Sequence, residues 1–273
     1  MLKDCVDLCD RLTVEVVTMG QSDFSLVRKM NIKCDVLIGN QGVPETSVKE
    51  YEFDGHKATM YSYNEKGVGL NRNNLLLRGD SEIILLSDDD VVYYDDSVEK
   101  IVRAFDEKPK ADAIIFNLDT DQSTPAITAD KKWKRLYWFN CMRYGAPRLA
   151  IRSKVLKEKN ICFSLLFGGG AKYSAGEDSL FIGQLVKSGV KIYACPETIG
   201  TVSFETSTWF NGYTEKYFYD KGIFFYFRNK RFSRLFCLQY AVRKKSLFKD
   251  AFTAKQAYRL MLKGIDMYKK GIY

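Results

Sequence analysis

Histidine is almost missing from this chain: His56 is the only one in 273 residues. Its scarcity removes most zinc centres and most Ser-His or Cys-His nucleophile pairs, so any acid–base chemistry falls to carboxylates. Paired thiols are missing as well. Cys5, Cys9, Cys34, Cys141, Cys162, Cys195 and Cys237 form no C-x-x-C spacing, and their number is odd. Several lie in apolar runs, which fits structural thiols in a reduced compartment. Proline is scarce, at 5 beside 19 glycines, which excludes a disordered or repetitive chain. No stretch reaches the ~18 apolar residues of a spanning helix. The start, Met1-Leu-Lys-Asp-Cys-Val-Asp, has charges where a secretory signal needs an apolar core. The expectation is a soluble chain, cytoplasmic or peripheral at the inner face of the plasma membrane.

What is present is a globular composition, with 46% hydrophobic and 14% aromatic residues. That is enough to bury a core in one domain, or in one domain with an appendage. Charge is unevenly placed. Residues 209–273 hold 15 of the 42 Lys+Arg but only 4 of the 34 Asp+Glu, so the remainder is slightly acidic despite a net charge of +8. The break predicts a main domain over 1–208, with halves near 1–120 and 121–208, and a basic, aromatic extension over 209–273.

Strand-like runs lie at Thr13–Met19, Asp35–Gly39, Ala58–Tyr63, Glu82–Ser87 and Ala111–Leu118. Helices are expected between them: from a cap at Ser22 or Asp23 through Met30, over Leu70–Arg78 up to Gly79, and from Asp95-Asp96-Ser97 onward. This alternation predicts an α/β fold with a mostly parallel, doubly wound sheet flanked by helices. Ligands of such sheets bind at the carboxyl ends of the strands. Further on, strands are expected at Leu149–Ile151, Ile161–Phe167 and Val190–Ala194, the last closed by Pro196. A helix is expected over Glu177–Ser188, and the extension should be helical and wrap back on the core.

One strand, Ile83-Ile-Leu-Leu-Ser, runs straight into Asp88-Asp89-Asp90. In extended chain alternate side chains share a face, so Asp88 and Asp90 should converge while Asp89 points away. Two hard oxygen ligands suit Mn²⁺ or Mg²⁺, with water and phosphate oxygens completing the shell. An acidic turn bounding a strand is the plain alternative. A D-x-D phosphatase of the haloacid dehalogenase type also fits the string, with Asp88 as nucleophile. Such enzymes usually place that aspartate on their first strand.

Tyr63-Asn-Glu-Lys-Gly67-Val-Gly-Leu-Asn71-Arg72-Asn73, then Ile84-Leu-Leu-Ser-Asp88-Asp-Asp90, and later Gly176-Glu177-Asp178, together resemble the family-2 glycosyltransferases. The resemblance spans roughly residues 13–200. It implies a GT-A, Rossmann-like domain whose first half binds a nucleotide-diphosphate sugar and whose second half receives the acceptor. It implies Asp90 as metal ligand, Asp88 toward ribose or metal, and Gly67, Arg72 and Asn73 beside base and diphosphate. Two segments depart from the family pattern. The first strand ends in Val17-Thr18-Met19-Gly20 in place of a Pro-x-Tyr-Asn-like segment. Asn40 stands where an aspartate usually reads uracil, and its amide still offers a donor and an acceptor to a pyrimidine. Thr18 and Asn40 thus join the nucleotide-site candidates, with a UDP-sugar the favoured donor.

Ser174-Ala-Gly-Glu177 has the spacing of a capping box, which would occupy Glu177. Asp178 would then be the freer acid, ionised at a helix N-terminus as a general base must be. The resemblance also points to Asp178 as base of an inverting transfer, with Glu177 as the alternate. Gly168-Gly169-Gly170 would let backbone approach a sugar or move as a lid, or would simply turn a hairpin. In the extension, Trp209 would stack on a sugar and Lys221 close over diphosphate. Its rings and cations suit an anionic membrane surface, single-stranded nucleic acid, or plain packing on the core. The leading expectation is a metal-dependent transferase building a bacterial surface polysaccharide on a saccharide or lipid-linked acceptor. A phosphatase and a non-enzymatic RNA- or membrane-binding protein stand as alternatives, and the acidic site disfavours nucleic acid.

Overall fold

The computed structural model describes residues 8–120, 129–202 and 212–272. Its strands are β1 (Leu12–Met19), β2 (Asp35–Gln41), β3 (Ser47–Phe53), β4 (His56–Tyr63), β5 (Ile83–Asp88), β6 (Val91–Tyr93), β7 (Ala113–Thr120), β8 (Lys134–Arg135), β9 (Leu149–Arg152) and β10 (Ile192–Val202). They form one 10-stranded sheet in the order β3-β4-β2-β1-β5-β9-β7-β10-β6, with β8 on β10. Strands β1, β2, β4, β5, β7 and β10 share one direction, and β3, β6, β8 and β9 oppose it. The sheet is therefore mixed, with parallel strands in the majority.

Helices α1 (Ser25–Lys29) and α3 (Ser97–Glu107) belong to the first half, with α2 (Val68–Leu75) between them. In α3, Val98, Ile101, Val102 and Phe105 recur at helical spacing and are buried in the core cluster that holds Val14, Val16 and Val36. The opposite face of the sheet is covered by α4 (Ser153–Lys159) and α5 (Glu177–Lys187), through Leu156, Phe181, Ile182 and Leu185. Phe163 stacks on Phe181 with centroids 3.9 Å apart. Such a pair contributes about 0.5–1.5 kcal/mol beyond its buried area.

The C-terminal extension comprises α6 (Glu215–Arg228), α7 (Ser233–Arg243), α8 (Lys245–Phe248) and α9 (Ala254–Lys269). It is helical and does wrap back. Phe218, Phe224, Phe225 and Met261 form a third core with Phe167 and Tyr173 of the main domain. A Cβ at Gly222 would stand 2.0 Å from the Met261 carbonyl oxygen, and one at Gly264 would stand 2.5 Å from that of Tyr219. Only glycine lets α6 and α9 cross this closely.

Several local expectations need correction. Ser47–Phe53 is a strand although Lys49, Glu50 and Glu52 are charged, because β3 is an edge strand exposed on both faces. Ile161–Phe167 is not a strand. Backbone after β9 turns into α4, and Phe163 N–H and C=O pair with the Asn73 side chain in place of a ladder. Helix α2 begins at Val68 and ends at Leu75, earlier than hydropathy implies, because Gly67 at φ 144° opens it. Strand β10 runs on through Pro196, with a register shift between Ala194 and Thr198 that absorbs the missing N–H. No capping box forms at Ser174: its N–H and hydroxyl both donate to Asp220. The box is at Thr253 and Gln256 instead, opening α9. Trp209, Cys5 and the boundary at 208/209 lie outside the described residues. Cys34, Cys141, Cys162, Cys195 and Cys237 are free thiols.

Candidate active site

Parallel register brings the strand ends together. Val17 of β1 is level with Gly39 of β2 and Asp88 of β5, so Thr18, Asn40 and Asp88 stand on one rim of the sheet. Strand β5 stops at Asp88, and Asp89-Asp90 form a turn. The alternation expected for Asp88 and Asp90 therefore does not carry through, since its extended geometry ends one residue too soon. Asp89 is not idle either: its Oδ2 accepts a short hydrogen bond from the Thr18 hydroxyl.

Arg72 joins the two halves of the site. It is 4% exposed. Nη2 donates to Asp88 Oδ1 at 2.7 Å, Nη1 donates to Asp178 Oδ1, and Glu177 Oε1 is 4.0 Å away. The guanidinium also lies over the Phe163 ring, 5.1 Å from its centroid. Burial opposes its charge, yet the three carboxylates hold its pKa above the ordinary value. Arg72 thus fixes the tip of β5 to the first turn of α5 across 106 residues of sequence. The fork geometry of guanidinium makes this bridge possible. As a diphosphate-binding candidate it stands in the site, with its donors already engaged by carboxylates.

Asp178 is held at both oxygens, because the Ala146 N–H donates to Oδ2 at 3.0 Å. It is therefore not the freer of the two acids. Glu177 occupies the first helical position, with Gly176 N–H donating to Oε2 at 3.0 Å. Burial and the charge of Asp178 push its proton affinity well above the usual carboxylate range, against the pull of Arg72. Gly168 is essential space for it: a Cβ there would stand 2.8 Å from Glu177 Cδ and 2.7 Å from Val68 Cγ1. The glycine triplet is thus packed against the site wall, with Val68 N–H donating to Gly169 C=O at 2.9 Å.

Among the remaining candidates, Gly67 borders the site: its N–H donates to Gln41 Oε1 at 2.8 Å, and Gly170 backs onto it. Asn40 and Asn73 behave otherwise. Asn40 is 1% exposed and spends its amide on Gln21, accepting from the Gln21 N–H and donating to the Gln21 C=O. Asn73 pairs with both backbone groups of Phe163 and so holds the platform under Arg72. Both geometries are those of structural ties. Lys221 lies among the Tyr217, Phe224 and Tyr240 rings, where burial lowers its pKa and Glu177 opposes that shift. Ala146 and Phe163 carry no sequence signature, since a backbone N–H and a ring platform have no characteristic spacing. Gly168 is legible in the glycine triplet.

Among the described residues, no group of three or more His, Cys, Asp or Glu is arranged as a ready metal cage. The acids at the β5 tip nevertheless fit a hard divalent cation. Burial, together with Asp88 and Asp89, raises the Asp90 pKa to about 6, and no ion-pair partner of Asp90 occurs among the described residues. Burial also raises Asp88, though Arg72 opposes the shift. A rim of oxygen donors short of positive charge matches ions that take few protein ligands and keep water or phosphate oxygens for the rest.

Residues 28–157 match the family described as glycosyl transferase family 2, a span that includes Arg72 and the three aspartates. They form a family-2 glycosyltransferase domain. Solved structures share the fold of the chain. S. aureus TarS 1-349 in complex with UDP-GlcNAc superposes with a TM-score of 0.62 at 12% identity, covering 96% of this chain and 93% of that one. Its complex with UDP gives 0.62 at 12% identity, covering 96% and 83%, and TarS 1-349 alone gives 0.59 at 13%, covering 96% and 92%. No curated protein sequence matches the chain. No described helix is long and apolar enough to cross a membrane.

Proposed function

We propose that this glycosyltransferase moves a sugar from a nucleotide-diphosphate sugar, a UDP-sugar by preference, to a hydroxyl of a saccharide or lipid-linked saccharide. The observation that carries this reading is the Arg72 bridge, which brings the aspartates of the β5 tip and the acids of α5 to one wall. The UDP-GlcNAc and UDP complexes of the similarly folded TarS support the donor class. The family match favours transfer over phosphatase chemistry, and over a purely RNA-binding role.

Asp88 and Asp90 would hold Mn²⁺ or Mg²⁺. Such an ion supplies charge neutralisation for a departing diphosphate. Asp178 serves as general base. Arg72 and the Ala146 N–H fix its carboxylate in one orientation, so removal of the acceptor proton needs no reorganisation. Glu177, with its raised proton affinity, is the weaker candidate near neutrality. One attack on the face opposite the leaving group inverts the anomeric centre. The basic extension supports a position on the cytoplasmic side of an anionic membrane, which would suit synthesis of a bacterial surface polysaccharide.

A thermal-shift panel of nucleotide sugars with and without Mn²⁺ tests this. The preferred donor should stabilise the protein only with the ion, and Asp90→Asn should lose that dependence. Equal donor stabilisation after complete chelation would reject the metal site, and no stabilisation or hydrolysis with any nucleotide sugar would reject the donor class.

A further inference from the structure

Helix α7 has two apolar faces. Ser233, Cys237 and Ala241 face inward, while Leu235, Leu238 and Val242, at i, i+3 and i+7, are 57%, 45% and 54% exposed. Across a groove of about 780 Å³ lie Trp138 and Phe139, 60% and 66% exposed. Large rings this exposed beside an apolar helical stripe are unusual on a free surface.

The surrounding charge is mainly positive, with Asp130 paired to Arg143. Between Lys221 and Lys249 the chain carries nine Lys and Arg and no Asp or Glu. Arg143, Arg243 and Lys244 rim the groove itself. Aromatic rings and aliphatic stems flanked by cations match the boundary between headgroups and acyl chains, where each basic side chain adds attraction to anionic lipid.

The groove also leads to the chemistry. Met142 lines it, and the Met142 carbonyl accepts a hydrogen bond from the Ser179 hydroxyl on the first turn of α5, next to Asp178. Four residues beyond Met142, the Ala146 N–H holds Asp178. A surface seated here lies beside the wall of the site that holds Asp178.

We propose that the outer face of α7, with Trp138 and Phe139, docks on an anionic lipid bilayer and so presents a lipid-linked acceptor to the site. Only the role of the acceptor rests on the transferase reading; the docking does not.

Flotation with vesicles of phosphatidylcholine alone, and of phosphatidylcholine mixed with phosphatidylglycerol, tests it on the full chain. Wild type should float with the anionic vesicles only, and less as salt rises. A Trp138→Glu, Leu238→Glu double variant should lose binding. An Arg234→Gln, Arg243→Gln, Lys244→Gln triple variant should weaken it about a hundredfold. All changed positions are exposed, and unchanged melting temperatures confirm folding. Wild type failing to float, or both variants floating like wild type, overturns the proposal. So does a dimer in light scattering that the double variant converts to monomer, because the face then belongs to a second copy. Nucleotide-sugar hydrolysis without vesicles reports separately: its absence with flotation intact would remove the proposed function and leave the docking face standing.

Discussion

Replacing Arg72 by Met keeps much of the side-chain volume and removes a cation shared by Asp88, Asp178 and Glu177. The site then contains three carboxylates with partners lost: a hydrogen bond at 2.7 Å to Asp88, a shorter one to Asp178, and the approach of Glu177 at 4.0 Å. Breaking a buried pair from one side costs about 3–5 kcal/mol, because the abandoned charge stays desolvated. Asp88 and Asp178 are partly exposed, at 33% and 24%, which favours the lower end. Contact of the guanidinium with Phe163 adds about 0.5–2 kcal/mol. A net loss of about 3 kcal/mol corresponds to a fall of about 6–12 °C in melting temperature for a domain of this size. Arg72→Lys should recover only part of it, since one ammonium cannot fork between β5 and α5. Thermal unfolding followed by circular dichroism measures the fall, with donor hydrolysis assayed on the same samples. If Arg72→Met melts within about 2 °C of wild type, the bridge does not hold the two halves of the site together, and the joining of Asp88 to Asp178 loses its energetic basis.

Asp178→Asn should lower kcat about 10²–10⁴-fold while leaving the KM for donor near its wild-type value, and Glu177→Gln should do less; initial-rate kinetics with both variants check the order, and the reverse order would transfer the base role to Glu177. Gly168→Ala should destabilise by about 1–3 kcal/mol and slow turnover, because φ is +106° and a Cβ meets Val68 and Glu177; urea melts and steady-state rates measure both. Glu15 of β1 is 2% exposed with neither carboxylate oxygen hydrogen-bonded, and burial raises its pKa from 4.5 to about 8. The folded state therefore holds a proton that the unfolded state releases above pH 4.5, so stability falls as pH rises to about 8, by ~1.4 kcal/mol per unit. Glu15→Leu should abolish that slope and stand about 3 kcal/mol more stable near pH 7; parallel pH profiles for variant and wild type would show Glu15 to be solvated or paired.

The fold was legible wherever apolar period and local turn chemistry agreed. Val14, Val16, Val36 and Ile38 give β1 and β2 directly, and the Val98-Ile101-Val102-Phe105 spacing gives α3. The edge strand β3 escapes because exposure on both faces removes alternation, leaving Lys49, Glu50 and Glu52 free to be charged. Phe163 misleads in the opposite sense. Its apolar neighbourhood has the composition of a strand, but its backbone is satisfied by the Asn73 amide, a partner 90 residues away. Pro196 likewise suggests an end to β10, while a register shift accommodates it.

The site divides along the same line. Sequence pattern locates the acids, because a strand driving into Asp88-Asp89-Asp90 and the Gly176-Glu177-Asp178 turn are local facts. It does not reveal which acid is restrained, since restraint comes from Arg72 and the Ala146 N–H, which are remote in sequence. A capping-box spacing assigns the backbone to Glu177 and freedom to Asp178, and the geometry reverses much of that division. Ser174 turns to Asp220 on α6, an element of the C-terminal extension, and thereby releases Glu177 from the cap. Lys216 pairs with the same Asp220 at 2.7 Å, while Lys221 lies one turn further along α6 and acts electrostatically on Glu177. The extension is therefore more than a cover for the third core. Its Asp220 satisfies the Ser174 backbone ahead of α5, so the path of the chain into Glu177 and Asp178 is fixed by a helix more than 35 residues downstream.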